Sequence, residues 1–413
     1  MLVKLERRNR VILILLLGLL SAIAPFSIDM YLPGFPAIAT ELHTSVDAVS
    51  YSLASFFIGV CVGQLVCGPL LDRFGRKRPL VIGIVLYVFA SLGCAMSPTI
   101  EILIAFRFLQ ALGGCVGMVT PRAIVRDVFP IEENAKVLSL LILVLGVSPI
   151  LAPTVGSYVI AQWGWNYVFI LLASLAFALL LAIVGWLPES RPPDKSFLLK
   201  MGPILASYKK VIEEPRFYTY ALAGGVSSAG LFAYLSGSPF VFMKLYGVSE
   251  QQYGLFFAFI ATGLITSSQL NTLLLRKYTS AQLMRGTLRI QSTIGILLVV
   301  GSSVGMLDLY PMVFLIFLFL SCQGFSFPNS AALSMVPFTR EAGSASALLG
   351  ALQMGLGSLS AATVGLLNAT SAVPMTAVMA GCTVLGVVIL LLGEKKISQR
   401  LVPVEQGVQK NTD

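Results

Sequence analysis

Asp29 and Arg107 are the side chains of this sequence whose type and placement could do chemistry, because each lies within a long apolar run. Asp29 closes a stretch that is apolar from Val11 onward, and Pro33 and Pro36 follow it in SIDMYLPGFP, residues 27–36. A charged side chain in hydrocarbon is costly unless it faces water or a partner. A guanidinium stays charged, whereas a carboxylate can take up and release a proton. Burial disfavours the charged carboxylate and a neighbouring guanidinium favours it. If that balance differs between two conformations, the proton binds in one and leaves in the other. The alternative role for such a pair is a static tie between two helices.

The elements that would hold these groups are membrane spans. The chain has 413 residues, 56% hydrophobic and 11% charged, with a mean hydropathy of +0.87. A soluble domain carries about 25% charged residues. The net charge of +9 does not indicate nucleic acid, since the basic residues cluster in short loops and no zinc or RNP-like pattern occurs. The six cysteines lie in apolar runs without a CxxC pair, and His43 is the single histidine, so no metal site is expected. The basic start and the Ala22-Ile23-Ala24 triplet resemble a signal peptide. Pro25 and the continuing apolar character argue for a retained first helix instead.

Apolar runs predict twelve spans, at 11–39, 49–70, 79–97, 100–120, 137–161, 166–188, 217–242, 251–275, 285–306, 310–333, 343–367 and 373–393. Pro33 and Pro36 should bend or end the first. Alternate loops differ sharply in charge. One set holds Lys4, Arg7, Arg8 and Arg10; Arg73, Arg76, Lys77 and Arg78; Arg122, Arg126 and Lys136; the 191–216 stretch; Arg276, Lys277, Arg285 and Arg289; Arg340; and the tail. The other set holds only Lys244. Positive loops are cytoplasmic, so both termini are expected in the cytoplasm.

The expected fold is therefore an all-α membrane protein of twelve transmembrane helices in two six-helix halves. The halves are 1–188 and 217–394, joined by a cytoplasmic linker at 189–216 and followed by a tail at 395–413. A short interfacial helix is expected near 197–212. Asp29 lies 18 residues beyond Val11, roughly 27 Å along its helix at 1.5 Å per residue. Arg107 lies seven residues into a span that runs the other way, roughly 10 Å deep. Both estimates fall in the outer half of the membrane, so the two charges are expected to face each other.

Three motifs tie this outline to a family. GPLLDRFGRKRP, 68–79, resembles the G-x-L-x-D-R-x-G-R-[KR]-x loop between the second and third helices of the major facilitator superfamily. Gly68 is expected to allow close helix approach, Asp72 to pair with an arginine, Gly75 to make a tight turn, and Arg73 and Arg76 to anchor a gating loop. FRFLQALGG resembles the fourth-helix motif R-x-x-Q-G, with Ala111 in place of glycine. SPILAPTVGS, 148–157, resembles the antiporter motif. Pro149, Pro153 and Gly156 are its candidate residues, and Ser148, Ala152 and Ser157 stand where glycines occur.

Four further stretches, SIDMYLPGFPAIA, RAIVRDVFP, SGSPFVF and GSASALLGALQMGLG, resemble the bicyclomycin-resistance (Bcr/CflA) drug exporters over nearly the whole chain. That resemblance implies a bacterial inner membrane, a monomer in the bilayer without cofactors, and export of small drug-like molecules against protons. Relatives handling amino acids, nucleosides or siderophores leave a metabolite porter as the alternative. The expected proton-coupling residues are Asp29 and Arg107. Tyr31, Gln64, Gln110, Tyr234, Ser236, Asn329 and Gln353 are candidate cavity residues, each equally able to bond between helices. Phe56, Phe57, Phe232 and Phe240 read as lipid-facing or packing residues. No nucleotide loop or catalytic set is present, so an enzyme is not expected. Two similar halves with a buried carboxylate also argue against a channel or receptor.

Overall fold

The computed structural model describes residues 7–129, 131–193, 201–338, 342–367 and 370–408. Lys4, Arg340, residues 194–200 of the linker and the end of the tail lie outside the described residues. All regular structure described is helical. α1 (Arg7–Asp29) is a Leu- and Ile-rich helix that stops at Asp29, earlier than the expected span end. A 3₁₀ turn at Leu32–Gly34 takes Pro33, and α2 (Phe35–Glu41) takes Pro36 in its first turn. Proline has no N–H to donate and suits a helix start, so each proline opens a new turn here.

α3 (Val46–Phe74) starts at Ser45, whose hydroxyl accepts the Ala48 N–H at 3.1 Å. α4 (Lys77–Ala95), α5 (Ile100–Val128), α6 (Ile131–Trp163) and α7 (Asn166–Trp186) complete the first half. α8 (Met201–Ile212) is the short helix expected in the linker. α9 (Pro215–Pro239) runs on into a π-helical turn at Phe240–Leu245. α10 (Glu250–Leu274) and α11 (Ser280–Val304) each begin with a capping box, Ser249/Gln252 and Thr279/Gln282. α12 (Leu309–Met335), α13 (Ala342–Leu366) and α14 (Val373–Val408) follow. α14 carries helix through much of what the sequence suggested was a tail.

Eleven helical segments among the described residues are long and apolar enough to cross a membrane. With the 33-residue α6 they supply the twelve spans. Leu15, Ile82, Leu181 and Leu392 are among many large apolar side chains left exposed, which suits lipid and not water. Within the first half, α5 packs on α3 and α4, and α1 on α6; within the second, α9 packs on α14 and α12, and α10 on α12. Small residues make the α3–α5 crossing tight. A Cβ on Gly59 would come within 2.6 Å of the Phe108 carbonyl, and one on Gly63 within 2.7 Å of the Cys115 Cβ.

The halves meet chiefly through α3 with α13 and α6 with α10. Ser50 Oγ donates to the Ser236 carbonyl at 3.1 Å and Ser358 Oγ to the Ala54 carbonyl at 2.9 Å. The Phe57 and Phe232 rings meet edge to face at 4.5 Å. These contacts lie toward the end of the bundle that carries the α2–α3 connection. At the opposite end α8 lies across the seam, with Tyr208 Oη donating to the Leu65 carbonyl and Ser207 bonded to Ser344.

Candidate functional site

A cavity of about 200 Å³ lies between the halves, walled by residues from α1, α3, α5, α6, α9, α10, α12 and α13. Its wall is Leu, Ile, Val, Met, Ala, Pro and Phe apart from two side chains, Asp29 from α1 and Tyr234 from α9. Asp29 is 5% exposed and is, among the described residues, the sole carboxyl on that wall. A cavity of this composition favours an apolar ligand and leaves recognition to the two polar groups.

Arg107 is not on that wall, and no ion pair joins it to Asp29. The expectation that the two charges face each other is corrected by the geometry. The Arg107 guanidinium is fully buried among aromatic faces, its Cζ 4.2 Å from the Tyr31 ring centre, 4.2 Å from Phe56 and 5.7 Å from Phe169. Nη1 donates to Gln110 Oε1 at 2.5 Å, and Gln110 Nε2 donates to Ser91 Oγ at 2.8 Å. Tyr31 Oη bonds Ser52 at 3.3 Å. The cause is angular. Tyr31 follows Asp29 by two residues in near-helical backbone, so the two side chains point about 200° apart at 100° per residue. Tyr31 faces Arg107, and Asp29 therefore faces the other half.

Of the seven candidate cavity residues, the structure brings Tyr234 alone to the cavity wall. Gln110 and Tyr31 belong to the arginine pocket. Ser236 Oγ donates to the Ala361 carbonyl at 3.1 Å. Asn329 Nδ2 donates to Asn271 Oδ1 at 2.7 Å, tying α12 to α10. Gln64 faces Gly350 where α3 crosses α13, and Gln353 is buried on α13 with Nε2 unpartnered. Of the two roles expected for the four phenylalanines, packing is the one found: Phe56, Phe57, Phe232 and Phe240 are all buried and none faces lipid, and Phe232 also lines the cavity.

The motif loop after α3 forms a charge network at the far end of the bundle. Arg76 donates through Nη1 to Asp72 Oδ1 at 2.9 Å and through Nε to Asp127 Oδ2 at 2.8 Å. Burial alone would lower the Arg76 pKa, and the Asp127 and Asp72 carboxylates more than reverse it. Glu189 accepts the Arg76 N–H at 2.7 Å and the Lys77 N–H at 3.2 Å, capping α4. Gly75 holds φ +83, and a Cβ there would sit 2.7 Å from Glu189 Oε2, so the turn needs glycine. Arg73 lies in the last turn of α3. Gly68 meets nothing within 4 Å, so its expected close approach is not seen; Gly63 and Gly59, earlier on the same helix, do that work.

Asp127 and Glu189 were not singled out from the sequence. The signals were an acidic residue beside Arg126 inside RAIVRDVFP, and the glutamate of Pro188-Glu189 at the linker start. In α6, Pro149 lines the cavity and a Cβ on Gly156 would overlap the Met30 carbonyl. The Pro153 carbonyl lies 3.3 Å from the Cβ position of Gly254 on α10. These three residues set α6 against both the end of α1 and the other half.

Twelve spanning helices in two halves around a central cavity define a secondary membrane transporter and not an enzyme. The sequence matches the family model of the Major Facilitator Superfamily over residues 17–362. It is 37% identical to the uncharacterized MFS-type transporter YdgK of Bacillus subtilis, over 92% of this chain and 94% of that one. It is 30% identical to the bicyclomycin resistance protein homolog of Haemophilus influenzae, over 92% and 96%. Multidrug resistance protein D of Escherichia coli is 27% identical over 84% and 87%. Among solved structures the D-xylose-proton symporter aligns with a TM-score of 0.70 at 15% identity, over 93% of this chain and 97% of that one, a likeness of fold. The chain belongs to the Major Facilitator Superfamily, with relatives among its bicyclomycin- and multidrug-resistance proteins.

Proposed function

We propose that the protein is a proton-coupled exporter that exchanges small drug-like molecules for protons across a bacterial inner membrane, with both termini cytoplasmic. The observation that carries this reading is Asp29, one carboxyl on the wall of an otherwise apolar cavity. Protonated, it is neutral and compatible with that wall. Deprotonated, it is a buried charge that calls for a cation or hydrogen-bond donor inside the cavity. Ligand arrival and proton departure are then alternatives at one group. The relatives named for drug resistance support a drug-like cargo. Arg107 serves the same cycle as an anchor. It holds Tyr31, and with it the end of the helix that carries Asp29. The cavity is enclosed by one chain, so a monomer suffices, and 1–188 and 217–394 act as the two moving halves.

The test is transport in proteoliposomes with an imposed pH gradient, using bicyclomycin and chloramphenicol as cargo and a pH dye to follow protons. Asp29→Asn keeps the shape and removes the titration. It should abolish transport driven by the pH gradient while substrate-for-substrate exchange survives. An Asp29→Asn protein that still moves protons with its cargo would sink this reading.

A further inference from the structure

The hydroxyl of Tyr234 is buried and unsatisfied. The residue is 1% exposed, lines the cavity and has no hydrogen-bond partner for its Oη. Ser238, one turn along α9, lies beside this hydroxyl without completing a bond to it, because its own Oγ is committed elsewhere. Ser238 Oγ is paired with Tyr253 Oη at 2.9 Å, and Ser236 Oγ with the Ala361 carbonyl. The ring cannot turn away easily, since it packs on Phe257 at 5.7 Å and Phe242 at 6.4 Å between centroids. Buried hydroxyls almost always find a partner, so one that does not calls for an explanation. Here the open hydroxyl shares an apolar wall with one other polar group, Asp29, which comes from the opposite half.

We propose that Tyr234 is a ligand-binding residue, its hydroxyl donating to an acceptor atom of a molecule whose cationic or donor group lies against Asp29. The inference rests on reading the cavity as the cargo site. It narrows the cargo to a small apolar body with two polar features: a protonated amine or comparable donor, and a carbonyl, ether or hydroxyl oxygen. Such a molecule bridges α1 and α9 and so joins the halves. A purely apolar amine satisfies Asp29 and leaves the Tyr234 hydroxyl unpaired. A neutral ketone does the reverse.

The experiment uses the purified full-length chain in nanodiscs and a matched pair of probes, 4-phenylbutylamine and 4-(4-acetylphenyl)butylamine, with Kd read by calorimetry or probe displacement. The wild type should bind the acetyl compound about tenfold more tightly, the worth of one good hydrogen bond in a dry site. Tyr234→Phe keeps the ring packing and should bind both equally, at the wild-type affinity for the plain amine, with an unchanged melting temperature. Asp29→Asn should weaken both amines by the same factor and keep the acetyl preference. Equal or absent binding of the two probes by the wild type overturns the proposal. So does a preference that persists in Tyr234→Phe, or a loss of stability there, which would reveal a structural partner for the hydroxyl. Proton movement by Asp29→Asn is scored separately, so coupling can fail while the acetyl preference stands, and the reverse.

Discussion

Arg107 gives the most quantitative test of the structure, because a buried guanidinium has to be compensated by something. Removing it from water costs several kcal/mol. Two aromatic faces lie at 4.2 Å, and a desolvated cation–π contact contributes about 2 kcal/mol. The bond to Gln110 adds about 2 kcal/mol, as a hydrogen bond to a charged group. Nε and Nη2 are buried without a hydrogen-bond partner, so these gains offset the desolvation cost without exceeding it, and Arg107→Met should change stability by no more than about 1–2 kcal/mol. Phe56→Leu in the native background loses about 1 kcal/mol of apolar burial plus the cation–π contact, about 3 kcal/mol in total. In the Arg107→Met background it should lose the burial alone. The coupling energy of the cycle is then about 2 kcal/mol.

The assay is SDS-titration unfolding of the four purified proteins in mixed micelles. A coupling below about 0.5 kcal/mol lies within ordinary additivity and would show that the ring does not compensate the charge. An Arg107→Met cost of about 3–5 kcal/mol would refute the reasoning from the other side. It is the signature of breaking a buried ion pair and would restore Asp29 as the partner.

Asp127→Asn removes one of the two carboxylates that hold Arg76 and should slow transport about tenfold or more, from the loss of a charge-assisted bond. Probe affinity at the distant cavity should stay unchanged, and a matching loss of affinity would show the network reaches the ligand site. Two glycines of the motifs should behave oppositely. Gly156→Ala forces a Cβ onto the Met30 carbonyl and should cost at least the 1–3 kcal/mol typical of overpacking, whereas Gly68→Ala meets open space and should stay within about 0.5 kcal/mol. Equal melting temperatures for the two variants would contradict the packing described.

The spans were legible in the sequence because hydrocarbon imposes a length and a composition that survive any detail of packing. The charged loop after α3 was legible in part. Its basic cluster and Gly75 announce a tight, positively charged turn, but Asp127 and Glu189 reach Arg76 from 51 and 113 residues away, and no local pattern marks that convergence. Close approach was assigned to Gly68 because the motif places a glycine there. Which glycine touches a neighbour depends on the crossing point of α3 and α5, set by Gly59, Gly63 and Ala111 together.

The placement of Asp29 and Arg107 failed for a reason the sequence did contain. Rise per residue gives depth, and at similar depth the two charges seemed bound to meet. Depth is one of two coordinates on a helix; the other is the angle around its axis, 100° for each residue. Asp29 ends α1 and Tyr31 follows it two residues on, in near-helical backbone, so the two side chains face nearly opposite ways. An arginine buried in the first half can therefore take the aromatic ring or the carboxylate, not both. A ring stacks on a guanidinium without neutralising it, and it leaves the carboxylate free to face the cavity and the second half. An ion pair would have held both charges in place and left nothing on the cavity wall to titrate. On the proposed reading, this arrangement makes Arg107 a fixed anchor and Asp29 the group whose charge the cavity's contents change.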